Sequence, residues 1–217
     1  MEKLYIMISK TDTGVGKLIR NITGFPYNHV SLTLDPSFRN WVSFARYQKD
    51  TPLYGGFIRE PVERYLAKGE EILVRIFAVD LTPDRFHRLK KLFSLAGTQT
   101  PSLRYNLFSL VTLTFGMEVP VPGAYTCLGF ANRVLGTDFK SIRKFNDHLI
   151  SKLFYEGRLG DLAPDSGNRD DLYFTSGNFL HNTLKNAESL IGLIRFALTP
   201  GRTDPVATIL NTEGVPL

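Results

Sequence analysis

Val30, Leu32 and Leu34 alternate with His29, Ser31 and Thr33, so residues 26–35 read as a strand with one apolar and one polar face. Residues 4–9 read as an earlier short strand, followed by a polar loop over 10–16 and a short helix over 17–23. Asp35-Pro36-Ser37 predicts a turn, and residues 41–46 return as the second arm of a hairpin. Gly55-Gly56-Phe57 reads as a loop, and 61–68 as a short helix.

Further along, 71–81 alternates again. Thr82-Pro83-Asp84 opens a helix whose apolar face continues through Phe86, Leu89, Leu92, Phe93 and Ala96. Residues 106–115 read as a buried helix, and a last long helix is expected over 179–196, with Leu180, Leu184, Ala187, Ile191 and Ile194 or Leu198 on one apolar face. The order of strand, helix, hairpin, strand and helices predicts an α+β domain with an antiparallel sheet. The composition turns loop-like past Tyr155, which divides the chain into a domain over 1–160 and an extension over 161–217 with one helix and a polar tail.

Composition adds limits. Of the 217 residues 43% are hydrophobic and 22% charged, which is ordinary for a globular protein with one substantial core. The formal charge of +5 is scattered along the chain, so it reads as a solvated surface and no nucleic-acid partner is expected. Residues 1–8 are too short an apolar run for a secretory signal, and the expected location is cytoplasmic. No Cys/His spacing fits a metal site, and neither a metal nor an organic cofactor is expected.

The chain has a single cysteine, in Tyr125-Thr126-Cys127-Leu128-Gly129-Phe130, where a turn runs into a helix. A helix N-terminus presents unpaired N–H groups and partial positive charge, which favour a thiolate. Taken alone, Cys127 also reads as a small buried hydrophobe, and His29 as a half-buried strand histidine. Together they form the minimal nucleophile and base of a thiol hydrolase. A turn centred on Pro36 sets Ser43 opposite His29, on the polar face of the hairpin.

Asn28-His29-Val30-Ser31-Leu32-Thr33-Leu34 early in the chain, with Tyr125-Thr126-Cys127-Leu128-Gly129-Phe130 well downstream, resembles the circularly permuted branch of the NlpC-type papain-like superfamily. That branch includes the lecithin:retinol acyltransferase-like enzymes and many bacterial proteins. The resemblance covers residues 1–155 in element order. It implies a permuted papain-like fold, its antiparallel sheet packed against the nucleophile helix, with Cys127 as nucleophile and His29 as general base. It implies a third polar residue on the strand after the histidine strand, the place given to Ser43, where relatives more often carry a histidine, acid or amide. It further implies an amide, ester or thioester substrate, either a small peptide or a lipid acyl compound, the latter with peripheral membrane contact. Phe108, Leu110, Leu113 and Phe115, with Phe25, Trp41 and Tyr54, are candidates for an acyl pocket.

Two other readings stand beside this one. The first is a non-catalytic binding module on the same fold. The second is phosphate or nucleotide binding through Thr11-Asp12-Thr13-Gly14-Val15-Gly16-Lys17, which resembles a phosphate-binding loop but lacks its first glycine and has Leu18 where a Mg²⁺-binding hydroxyl belongs.

Overall fold

β1 (Glu2–Ser9) is apolar on both sides because both of its faces are covered. Leu4, Ile6 and Ile8 point into one core and Met7 into another. This is how the computed structural model of the chain, which describes residues 2–11, 14–67, 72–97, 102–112, 117–199 and 201–210, places the strand inside its sheet, third from one edge. After α1 (Gly14–Thr23) come β2 (His29–Thr33), β3 (Asn40–Arg46), β4 (Gly55–Pro61), α2 (Val62–Leu66), β5 (Leu73–Leu81) and α3 (Pro83–Ser94). β6 (Arg104–Tyr105), α4 (Leu107–Thr112), β7 (Ala124–Tyr125), α5 (Cys127–Leu135), α6 (Ile142–Leu149) and β8 (Leu153–Arg158) follow. The chain continues through α7 (Leu159–Leu162), α8 (Phe179–Leu198) and α9 (Pro205–Leu210).

The result is an α+β fold around a curled, half-barrel sheet of eight strands in the order β7-β6-β4-β3-β2-β1-β5-β8. Its pairings are antiparallel except β6 with β7. On one face α3, α5 and α6 bury Leu89, Leu92, Phe130, Val134 and Phe145 against Ile6, Val30, Leu32 and Phe44. On the other, Val62, Tyr65 and Leu66 of α2 and Leu159 of α7 pack with Met7, Trp41, Val74 and Ile76.

Three expectations need correction here. Gly55-Gly56-Phe57 is not a loop but the start of β4. A Cβ on Gly55 would lie 2.6 Å from the Ala45 carbonyl oxygen, and one on Gly56 would lie 2.3 Å from the Tyr47 hydroxyl. These glycines mark close approach inside a sheet, not a turn.

The hairpin turn is also longer than three residues. Asp35 Oδ1 accepts from the Ser37 amide at 2.8 Å, and Phe38 then takes a left-handed φ of 57°. The ring of Phe38 is thereby laid on Trp41, with centroids 6.0 Å apart. The register becomes Leu32 opposite Val42, which sets Ser43 across from Ser31 instead of His29. Parity survives the slip, because a shift of two residues keeps each side chain on its face.

Finally, α8 turns its predicted apolar face outward. Its buried residues are Ser189, Gly192, Leu193 and Phe196, while Leu180, Leu184, Ala187, Ile191, Ile194 and Leu198 are exposed. The extension nonetheless joins the body, since Val206 of α9 is fully buried in the core beneath α3 and α5.

Candidate functional site

Cys127 is the first residue of α5. Thr126 caps that helix, its Oγ1 accepting from the Gly129 amide at 3.0 Å, and Gly136 ends it in the left-handed region at φ 70°. One turn along, Phe130 packs its ring 5.3 Å from that of Phe44 and 5.0 Å from that of Phe57. That aromatic cluster fixes the helix against β3 and β4 and aims its N-terminus at the start of β2, where His29 sits.

The imidazole of His29 is the centre of the site. It stands beside the Cys127 sulfur on one side, near enough that each shifts the other's titration, and its Nε2 lies 2.9 Å from Glu60 Oε2 on the other. With Nε2 engaged by the carboxylate, Nδ1 is the ring nitrogen left for sulfur. Glu60 stands on β4 across from Trp41, on the same face of the sheet as His29, Ser31 and Ser43.

Glu60 is buried and well held. Its Oε2 lies 2.9 Å from both the Ser31 and the Tyr65 hydroxyls, which are 2.7 Å from each other. Two hydroxyl protons thus serve three oxygen contacts, and two of the three converge on the atom that faces His29. Arg64, itself bound through Nε to Asp171 at 2.7 Å, adds positive potential from behind.

Burial works against every charge in this row. It raises the Glu60 carboxyl, yet the His29 cation and the hydrogen bonds to the carboxylate outweigh it, and the group titrates below the ordinary glutamate value. Burial likewise lowers His29, but Glu60 and the cysteine sulfur hold its proton up to about 10. For Cys127 burial pushes upward, while the imidazolium and the Val30 backbone pull the thiol below its usual range. All three shifts favour the charged form of the row, thiolate, imidazolium and carboxylate in sequence, and His29 exposes 12% of its side chain as the opening to solvent.

Ser43 is not the group that orients His29. It is fully buried, and its Oγ donates to the Val30 carbonyl at 2.8 Å, bracing the hairpin. The carboxylate that occupies the orienting position comes from β4. Its signal in the sequence is an acid in phase with Gly56 and Ile58, on a strand face that is otherwise apolar.

The phosphate-loop reading falls partly on Asp12 and Thr13, outside the described residues. The Thr11 amide donates to Asn28 Oδ1 at 3.0 Å, so this part of the loop is tied to the residue before His29. Of the acyl-pocket candidates, Leu113 and Phe115 also lie outside the described residues. Trp41 belongs to the opposite core, Phe25 packs on Tyr27 with centroids 5.6 Å apart, and Tyr54 packs on Tyr47 at 4.7 Å. Phe108 does line a groove of about 590 Å³, together with Leu53, Leu107, Thr112, Val119 and Leu190. Tyr105 packs with Leu107, a wall of that groove, and its hydroxyl is pushed far up by burial and by the charge on Cys127.

Among the described residues no group of three His, Cys, Asp or Glu side chains converges on a point where a metal ion would sit. His29 lies between the sulfur and the carboxylate and holds them apart. The chain matches no protein-family model, no curated protein and no solved structure.

Proposed function

We propose that the chain is a cysteine-dependent hydrolase or acyltransferase of the permuted papain-like kind, acting on an amide, ester or thioester. The observation that carries this reading is His29 set between Cys127 and Glu60, a nucleophile, a base and an orienting carboxylate in a row, with the base hydrogen-bonded to the carboxylate and charge-coupled to the sulfur. The order of a histidine strand before a cysteine helix supports the permuted connectivity.

In the reaction, the Cys127 thiolate attacks the acyl carbon and the C=O π electrons move onto oxygen. The backbone N–H of Cys127, free of intrahelical partners at the first helical position, is placed to donate to that oxyanion. Collapse expels the amine, alcohol or thiol, which takes its proton from the His29 imidazolium, and leaves an acyl thioester on Cys127. His29, now neutral, then draws a proton from water or an acceptor as that group attacks the thioester. The tetrahedral adduct expels the thiolate and restores the imidazolium. Glu60 remains ionised throughout. It fixes the ring orientation and stabilises the cation.

Incubation with a series of p-nitrophenyl esters and aminoacyl p-nitroanilides tests the proposal. The expected result is release of p-nitrophenol or p-nitroaniline with a transient acyl mass on Cys127 by mass spectrometry, both absent in Cys127→Ala. A folded protein that forms no acyl adduct with any of them favours the binding-module reading.

A further inference from the structure

α8 is held to the body by a narrow side made of Ser189, Gly192, Leu193 and Phe196. Gly192 lies against the Arg104 guanidinium, and Arg104 and Arg202 both pack on the Phe196 ring, with their guanidinium carbons 5.1 Å and 3.4 Å from its centroid. On the opposite side of the helix, Phe179, Leu180, Leu184, Ile191, Ile194 and Leu198 are between 41% and 87% exposed. A surface helix ordinarily turns its apolar face to the core, and a contiguous exposed apolar patch marks an interaction site.

We infer that this face of α8 docks on an anionic lipid bilayer surface. Width is the first argument. With Leu190 and Phe179 on its edge, the stripe spans roughly 140° of the helix, broader than the two-position seam of a paired coiled coil.

Continuity is the second. Leu190 is also a wall of the apolar groove, and Leu53, Met117 and Val119 carry exposed apolar surface around it, so the stripe runs on into a surface that is not helical. A flat apolar phase covers such a patch, whereas a single partner helix covers only the stripe.

Charge is the third. Arg195 flanks the stripe, and the neighbouring acid, Glu188, is neutralised by Lys185 at 3.1 Å. The chain carries +5, which attracts an anionic surface and repels a second copy. No helix among the described residues is long and apolar enough to cross a membrane, so α8 lies in the plane of the surface. This docking is independent of whether Cys127 turns over an acyl substrate.

Sedimentation of the full chain with vesicles tests it. Wild type is expected to pellet with vesicles of equimolar phosphatidylcholine and phosphatidylglycerol, more weakly with phosphatidylcholine alone, and less as salt is raised. Leu184→Glu/Ile191→Glu is expected to bind at least about tenfold more weakly while keeping the wild-type circular dichroism. Leu184→Ser is a milder second variant, and Ile150→Glu, an exposed apolar site away from the patch, is expected to bind as wild type. Wild type that stays in the supernatant overturns the proposal, as does a folded double variant that pellets equally well. A dimer in sedimentation equilibrium that the double variant dissociates, with no vesicle binding, assigns the face to a second copy instead.

Discussion

Glu60 Oε2 lies 2.9 Å from His29 Nε2, and the same oxygen accepts from the hydroxyls around it, so a buried carboxylate is aimed at one ring nitrogen by the packing of three strands and a helix. This fixes which nitrogen is left for Cys127. If Glu60 orients and charges the ring, Glu60→Gln keeps the shape and removes the charge. Turnover is expected to fall by about a hundredfold or more. The alkaline limb of the pH–rate profile is expected to move down, because His29 loses its proton earlier once the carboxylate is gone. Turnover and profile both equal to wild type remove Glu60 from the mechanism.

Ser43→Ala provides the contrast. Its hydroxyl donates only to backbone carbonyls, at 2.8 Å to Val30 and 3.5 Å to Phe44. Losing it is expected to cost about 1 kcal/mol of stability in denaturant titration and to leave the pH–rate profile in place. A profile shifted as far as that of Glu60→Gln returns Ser43 to the role its sequence position gave it.

These two residues show where the sequence was legible. Hairpin parity was readable from Val30, Leu32, Val42 and Phe44, because a two-residue repeat survives an uncertain turn. Exact register was not, since it depended on Phe38 adopting a left-handed backbone in order to bury its ring on Trp41. Cys127 and His29 stood out because a lone cysteine at a capped helix start and a histidine on an alternating strand each carry local signals. Glu60 was hidden by Gly55-Gly56, which resembles turn chemistry until Ala45 and Tyr47 are seen to occupy the space of their side chains. The outward face of α8 was visible as a stripe, but periodicity alone does not say which way a stripe points.

The charges at the site also set a pH dependence of stability. The folded pKa of His29 is raised from 6.5 to about 10, so the imidazolium's contribution is complete below about 6.5 and is lost as pH rises toward about 10. Glu60 is depressed from 4.5, so its contribution is complete above that value and is lost as pH falls through the folded pKa. The gap in Tm between wild type and Glu60→Gln is therefore expected to be widest between about pH 4.5 and 6.5 and to close toward pH 10. A gap that is constant across this range means that the carboxylate stabilises through hydrogen bonds to Ser31 and Tyr65 alone.

The reactivity of the thiol is a separate check on the same charges. Burial raises Cys127 and His29 lowers it, with the lowering dominant. Alkylation by iodoacetamide is expected to show an apparent pKa below the free-thiol value of about 8.5, and His29→Ala to raise it, since burial is then opposed only by the Val30 backbone and the helix terminus. Equal pKa values in the two proteins mean that the helix terminus, not the imidazole, activates the sulfur.

Gly192→Ala probes how α8 is seated. A Cβ there would lie 2.3 Å from Arg104 Cζ, so the guanidinium that rests on Phe196 has to leave its place between the helix and β6. The flexible arginine can swing away, but Phe196 then loses one of its two cation contacts and Arg104 Nε, already buried without a hydrogen-bond partner, loses its packing as well. The expected cost is on the order of 1–3 kcal/mol and confined to this part of the molecule. Hydrogen exchange is expected to quicken across α8 while β1, β2 and α5 stay protected and Cys127 alkylates as in wild type. Exchange that quickens equally in α5 shows that the two helices open as one unit, and that the seat of α8 is part of what holds the cysteine in place.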